Sequence, residues 1–267
     1  MKKDKRFLCC MLALSALAPG HAFAQSTPSS VAGGWNYTLG VGAMRGPTYP
    51  GSGDTHTKGF PVLGATYGRF FAGAADVGVT VPVGIGYNLV QDQHWKVGIG
   101  VGYDIYSVRK ESDNAAKLRG LGDIERTVRT SVFAKYSNGG MSLFGAVVSS
   151  AKGQGTQVKL GADAAHSITP SLIVNAGPSV TWANARSNQT FYGISAAQSA
   201  NSGRSRYSPS AGVSDVTFSA GLTYLLSPSW SLGSRISVSY LPDTVSDSPI
   251  VDKDITTSYG VFTAYRF

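Results

Sequence analysis

The sequence predicts an all-β fold, a transmembrane antiparallel β-barrel of about twelve strands, with ten as the fallback count. Three observations carry this. Several stretches of about ten residues alternate between apolar and small or polar side chains, the pattern of strands with one apolar face. Short turns alternate with longer polar loops, as they do in outer-membrane barrels. The chain also ends inside such a strand, on Phe267, where most domains end in a few frayed polar residues.

Residues 1–24 have the three parts of a cleaved secretory signal peptide. Lys2, Lys3, Lys5 and Arg6 precede an apolar run from Phe7 to Ala18, and Ala22-Phe23-Ala24 offers small residues at a cleavage site. That run is too short to anchor the chain as a membrane-spanning helix. Both cysteines, Cys9 and Cys10, lie in this segment, so the mature chain is expected to have no disulfide, cysteine–metal site or thiol nucleophile. Cleavage removes four basic residues and Asp4, taking the formal charge from +8 to +5. Residues 25–267 read as a single outer-membrane β-barrel domain. Charged residues form only 14% of the chain, against ~25% in soluble domains. No stretch after Gln25 approaches the ~20 apolar residues of a membrane helix. A secreted β-sandwich and an outer-membrane barrel remain.

Strand length separates them. Trp35, Tyr37, Leu39 and Val41 share one face of the first strand, with Asn36, Thr38, Gly40 and Gly42 on the other. Trp95 to Ile105, Val216 to Tyr224 and Trp230 to Tyr240 repeat the pattern. About ten residues cross a bilayer at a tilt, whereas strands in soluble sheets centre on about five or six. The strand pair between Phe70 and Leu89 is the least regular, and without it the count is ten.

Short turns are expected at Tyr67–Arg69, Gln91–His94, Ser137–Gly140, His166–Pro170 and Leu226–Ser229. Long loops are expected at Arg45–Gly59, Ser107–Glu125, Asn184–Gly212 and Leu241–Asp254, with brief connections at Asp76–Val81 and Ala151–Gly155. Both termini then fall on the short-turn, periplasmic side. This topology places Trp35, Trp95, Trp230, Tyr136, Tyr224, Tyr265 and Phe267 at one membrane boundary, and Trp182, Tyr103 and Tyr240 at the other. Two aromatic girdles result. Pro178, inside a strand, lacks a ladder donor and calls for a bulge or bend.

The loops carry a family signature. "GPTYPGS" (Gly46–Ser52), "LRGLGDI" (Leu118–Ile124), "GPSVTWA" (Gly177–Ala183), "FYGISAAQSANSG" (Phe191–Gly203), "DSPIV" (Asp247–Val251) and the final "YRF" occur in that order. Together they resemble the MipA/OmpV family of bacterial outer-membrane proteins, the MltA-interacting protein family. The resemblance implies a non-enzymatic barrel that serves as a scaffold, bringing a murein lytic transglycosylase close to a murein polymerase. It also implies, as the alternative, a small-solute channel or an osmotic-adaptation protein. It carries over no catalytic residue, cofactor or metal. Tyr265 and Phe267 resemble the C-terminal signal read by the barrel assembly machinery.

The candidate chemistry is sparse. His94 and His166 are placed in short turns, as solvated polar residues. His56 shares an outer loop with Asp54 and reads as a solvated loop residue; the alternatives are half of a protease-like Asp–His pair or a weak metal site, for which one histidine and one carboxylate are too few. Glycine-rich runs such as "GIGVG" alternate within strands and precede no helix, so they are not phosphate loops. A barrel hydrolase lacks the base–nucleophile arrangement it needs. The lumen phase of the strands carries Lys96, Arg129, Lys135, Lys159, Arg235 and Arg266, with Asp104 and Asp163 as the inward acids. Rings of basic side chains favour anions, while pairing with loop carboxylates would plug the barrel. Inward Gly and Ser leave space for water. Outer-membrane lipid is the expected surrounding, and no nucleic acid is, since a basic lumen presents no groove-sized patch.

Overall fold

The computed structural model describes residues 34–73, 84–104 and 109–267. The expected signal peptide (residues 1–24), the connection from Asp76 to Val81 and Ile105 lie outside the described residues. Twelve strands close into one antiparallel barrel, which removes the ten-strand alternative. They are β1 (Asn36–Pro47), β2 (Thr55–Tyr67), β3 (Phe70–Gly73), β4 (Gly84–Gln91), β5 (Trp95–Tyr103) and β6 (Val128–Asn138). The second half comprises β7 (Met141–Ser150), β8 (Gly155–Thr169), β9 (Leu172–Ala183), β10 (Gly212–Leu225), β11 (Trp230–Tyr240) and β12 (Ile255–Arg266). Consecutive strands are neighbours throughout, and β12 returns to β1 from Thr38–Arg266 to Arg45–Tyr259. The last backbone amide, of Phe267, donates to the Tyr37 carbonyl at 3.0 Å. Closure leaves no strand edge, the condition for a sheet in hydrocarbon.

The alternation read from the sequence is the alternation of exposure. On β12, Ile255, Thr257, Tyr259 and Val261 are exposed outward, while Thr256, Ser258, Gly260 and Phe262 are buried inward. The short-turn girdle is continuous in pairs: Trp35 lies 5.1 Å from Tyr67, Trp95 5.0 Å from Tyr136, and Trp230 5.0 Å from Tyr265. The β6–β7 hairpin turns on Gly139 and Gly140, both at positive φ (57° and 84°), the backbone that two-residue hairpins need.

Two expectations about strands change. Pro178 causes neither a shift nor a bulge. The β8–β9 ladder runs to Gly161–Ser179 and resumes in the same register at Ala164–Ala176. The proline points outward and stays opposite Phe218 on β10, so the missing donor costs a gap in one ladder only. His166 lies within β8 on the outer face, and only Pro170 and Ser171 separate β8 from β9. The first loop is also shorter than expected, because β1 and β2 continue to Pro47 and Thr55.

The lumen is more apolar than the sequence implies. Phe133, Ala146 and Val148 pack with Phe71 and Phe144, and Val62, Phe262 and Ala264 pack with Phe60. All of these side chains belong to the inward phase. Each phenylalanine is the register partner of an inward glycine: Phe60 of Gly42, Phe71 of Gly86, Phe133 of Gly98, Phe144 of Gly161 and Phe262 of Gly233. The ring covers the glycine, so a Cβ there would collide with it. Glycine weakens a strand, and a covering aromatic recovers packing. These glycines therefore seat rings instead of leaving room for water.

Candidate functional site

The lumen and its mouth are the only places where the fold gathers polar chemistry among the described residues. The long loops fold together at the mouth. Tyr49, Leu118, Leu121, Ile194 and Ile250, from four different loops, form one buried cluster with Tyr207 against it. Short helices shape this cap: α1 (Ala115–Leu118), α2 (Ala185–Tyr192), α3 (Ala196–Ser202) and α4 (Asp243–Ser246). Arg204 donates through Nε to the Lys117 carbonyl at 2.8 Å and through a terminal nitrogen to that of Ala116 at 2.6 Å. Tyr49 donates its hydroxyl to the Ile250 carbonyl at 3.0 Å. Burial, and then the charge of Asp252, push the Tyr49 phenol up to about 12, so it remains a donor. Lys117 pairs with Asp252 at 2.5 Å. Burial opposes the ionisation of Asp252, but the hydrogen bonds from Lys117 and from the Gly53 amide outweigh it and hold the carboxyl below its usual range.

Helix α2 lies against the inner wall. Its Asn184 cap accepts from the Ser187 amide at 2.9 Å and from the Thr156 amide of β8 at 3.2 Å. Gln157, an inward residue of β8, donates to the Ser187 hydroxyl at 3.2 Å. At Gly155 the backbone is at φ +88°, and any side chain there would strike Ser187. The mouth is therefore narrowed on the β8 side. Arg109 is buried beneath the cap and donates to the Phe191 carbonyl at 3.2 Å; burial lowers its pKa.

All six basic residues singled out from the sequence sit in the inward phase of their strands. The structure does not bring them into one site. Arg129 forms an ion pair with Asp104 at 3.0 Å. Arg235 acts electrostatically on Asp163, whose carboxylate accepts from Asn175 at 3.1 Å. Lys159 acts on Asp215, which also accepts from Thr217 at 3.1 Å. Lys96 and Lys135 face each other near the short-turn end of β5 and β6, and Arg266 lies at the same end of β12, on the opposite wall.

Two inward charges escape sequence reasoning. Asp215 is a third inward acid, beside a register shift between Val213 and Asp215 that breaks the two-residue count. Lys58 on β2 is a seventh inward base, hidden because "HTKGFPVL" has apolar residues in both phases. Among the described residues, seven inward bases thus stand against three inward acids. The Asp54–His56 pair is not built: His56 is in β2, and Asp54 accepts from Asn114 at 2.8 Å. No group of three potential metal ligands occurs among the described residues.

The family model described as MltA-interacting protein MipA matches residues 39–267. The chain belongs to this family. The MipA-family relatives from Escherichia coli (strain K12) and Shigella flexneri, both named MltA-interacting protein, are each 34% identical over 97 residues. That stretch is 36% of this chain and 38% of each relative, so the chain matches well under half of their length. Among solved structures, OmpT of Vibrio cholerae aligns with 89% of this chain and 99% of its own at a TM-score of 0.39 and 10% identity. The anion-selective porin from Comamonas acidovorans aligns with 88% and 99%, also at 0.39 and 10%. Likenesses this loose carry no argument about solute. Family and topology together describe a MipA-family protein folded as a closed twelve-stranded antiparallel β-barrel.

Proposed function

We propose that this MipA-family barrel passes small solutes across the outer membrane, with a preference for anions. The observation that carries the reading is the inward charge of seven bases against three acids among the described residues. Fixed charge in a narrow, low-dielectric passage is focused onto whatever traverses it. The cap and α2 restrict the passage to small solutes. Insertion into planar bilayers tests the proposal: it expects discrete conductance steps, and their absence would remove the channel reading.

A second reading, the murein scaffold, is supported by family membership and by the name of the two relatives, MltA-interacting protein. In it, the short-turn face meets a murein lytic transglycosylase and a murein polymerase in the periplasm. Recovery of both enzymes with the barrel from detergent-solubilised envelope supports it; their absence at stoichiometric level counts against it. In either role, Tyr265 and Phe267 serve as the signal to the barrel assembly machinery.

A further inference from the structure

The wall formed by β8 to β12 carries an apolar groove on its outer, lipid-facing side. On each of these strands it is lined by two outward residues and the inward one between them, and it encloses about 660 Å³. Ala164, Ala176 and Ala220, consecutive register partners on β8, β9 and β10, make its floor. Pro178 and Phe218 rise on the long-loop side of these alanines, and Val174 and Leu222 on the short-turn side. On β11 the floor steps to Ser234, the register partner of both Leu222 and Val261.

The groove runs obliquely through one leaflet. At β8 it starts level with the β6–β7 turn, whose Gly140 carbonyl accepts from the Ala165 amide at 2.7 Å. At β12 it ends on Tyr259 and Val261, well above the girdle residue Tyr265 of the same strand. Four strand spacings of about 4.8 Å give a length of about 19 Å. At the tilt of barrel strands, that follows one leaflet of about 15 Å from headgroups to midplane. His166 stands at the headgroup end, exposed in the outward phase of β8. The only other outward base on the described strands is Arg45, toward the long-loop end of β1. Ionisable side chains facing a membrane are costly and mark function. An imidazole at headgroup level can donate to a phosphate oxygen, and hydrogen bonds to charged groups are among the strong ones.

A second copy of the chain fits this surface poorly. A two-fold contact would set hollow against hollow, leaving the lining without contacts. A flexible acyl chain fills the groove and is touched on three sides instead of one. We propose that the groove binds a glycerophospholipid of the periplasmic leaflet, with one acyl chain along the alanine floor and the phosphate against His166. The inference does not depend on whether the lumen conducts.

The test uses the whole barrel, stripped of lipid and folded in neutral detergent, with phosphatidylglycerol as the probe and native mass spectrometry as the readout. One phospholipid should be retained per barrel. Ala220→Phe, which fills the floor, should abolish retention. His166→Leu should weaken it about tenfold, the scale of one hydrogen bond to a charged group. Both substitutions turn apolar side chains toward lipid, which the outer band of a barrel accepts, and the heat-modifiable form on gels checks folding. Ala134→Phe, in the outward phase of β6, should retain lipid as the unaltered barrel does. Diacylglycerol, with the same chains and no phosphate, should be held far more weakly, and inorganic phosphate should not compete. Retention indifferent to either groove substitution, or lost equally in Ala134→Phe, would overturn the proposal. Equal retention of diacylglycerol removes the phosphate contact, and competition by inorganic phosphate makes this a free-anion site; either result counts against it. Paired barrels that separate in Ala220→Phe would give the groove to a second copy and overturn it as well.

Discussion

The ring of Phe133 lies over Gly98 on the neighbouring strand, where an added Cβ would come within 2.6 Å of the ring's Cζ. Phe133 is 2% exposed and central to the inner cluster. Gly98→Ala should therefore lower stability by about 1–3 kcal/mol, as overpacking does. Phe133→Ala should cost about 3–5 kcal/mol. The two should add less than fully, since removing the ring relieves its part of the clash while the Tyr87 carbonyl, also 2.6 Å from the added Cβ, remains. Urea unfolding in vesicles measures the double-mutant cycle, and additive losses would contradict the stacking.

The strand phases were legible because lipid on one side and lumen on the other impose a period of two on every strand. Trp95, Val97, Ile99 and Val101 all face outward as their spacing requires. The inner phenylalanines were not legible. A Phe in the inward phase reads as an exception until pairing register shows the glycine beneath it, and register is a property of two strands. The cap escaped for a related reason. Tyr49, Leu118, Ile194 and Ile250 are isolated apolar residues in polar loops, and only tertiary folding makes them one cluster.

Acid should loosen the cap. The Asp252 carboxyl is held below its usual range, so its contribution to stability is complete above the unfolded value and is lost as pH falls through the lowered native value. Hydrogen exchange at Tyr49, Ile250 and Asp252, corrected for intrinsic rates, should accelerate across that acid window. In Asp252→Asn it should be faster throughout and insensitive to pH in the same window. Unchanged protection would remove Asp252 from the cap's support.

Sidedness is accessible by cysteine labelling, since Cys9 and Cys10 lie within residues 1–24, the stretch expected from the sequence to be cleaved. Ala197→Cys, on an exposed position of α3, should react with a membrane-impermeant thiol reagent on intact cells. Asn138→Cys, at the exposed β6–β7 turn, should react only after the outer membrane is opened. The reverse pattern would invert the topology.

The closing strand should control assembly. Phe267 packs against Tyr265 at 4.7 Å between ring centres, and its amide completes the seam with β1. Deleting Phe267, or replacing both aromatics with Ala, should leave secretion intact and sharply reduce the heat-modifiable folded form on gels. A normal yield of that form would contradict the assembly role.

The central claim is that inward cations set the preference of the passage, and reversal potential under a tenfold salt gradient tests it most directly. Arg129, Lys159 and Arg235 each stand beside an acid, so converting them would bring carboxylates together and endanger the fold. Lys58 and Lys96 are better probes. The unaltered barrel should show anion preference that weakens as salt shortens the Debye length. The Lys58→Glu, Lys96→Glu double variant, which cancels the seven-to-three excess, should lose that preference while remaining folded, because lumen substitutions tune selectivity. Cation preference in the unaltered barrel, or a reversal potential indifferent to the double change, would contradict the account.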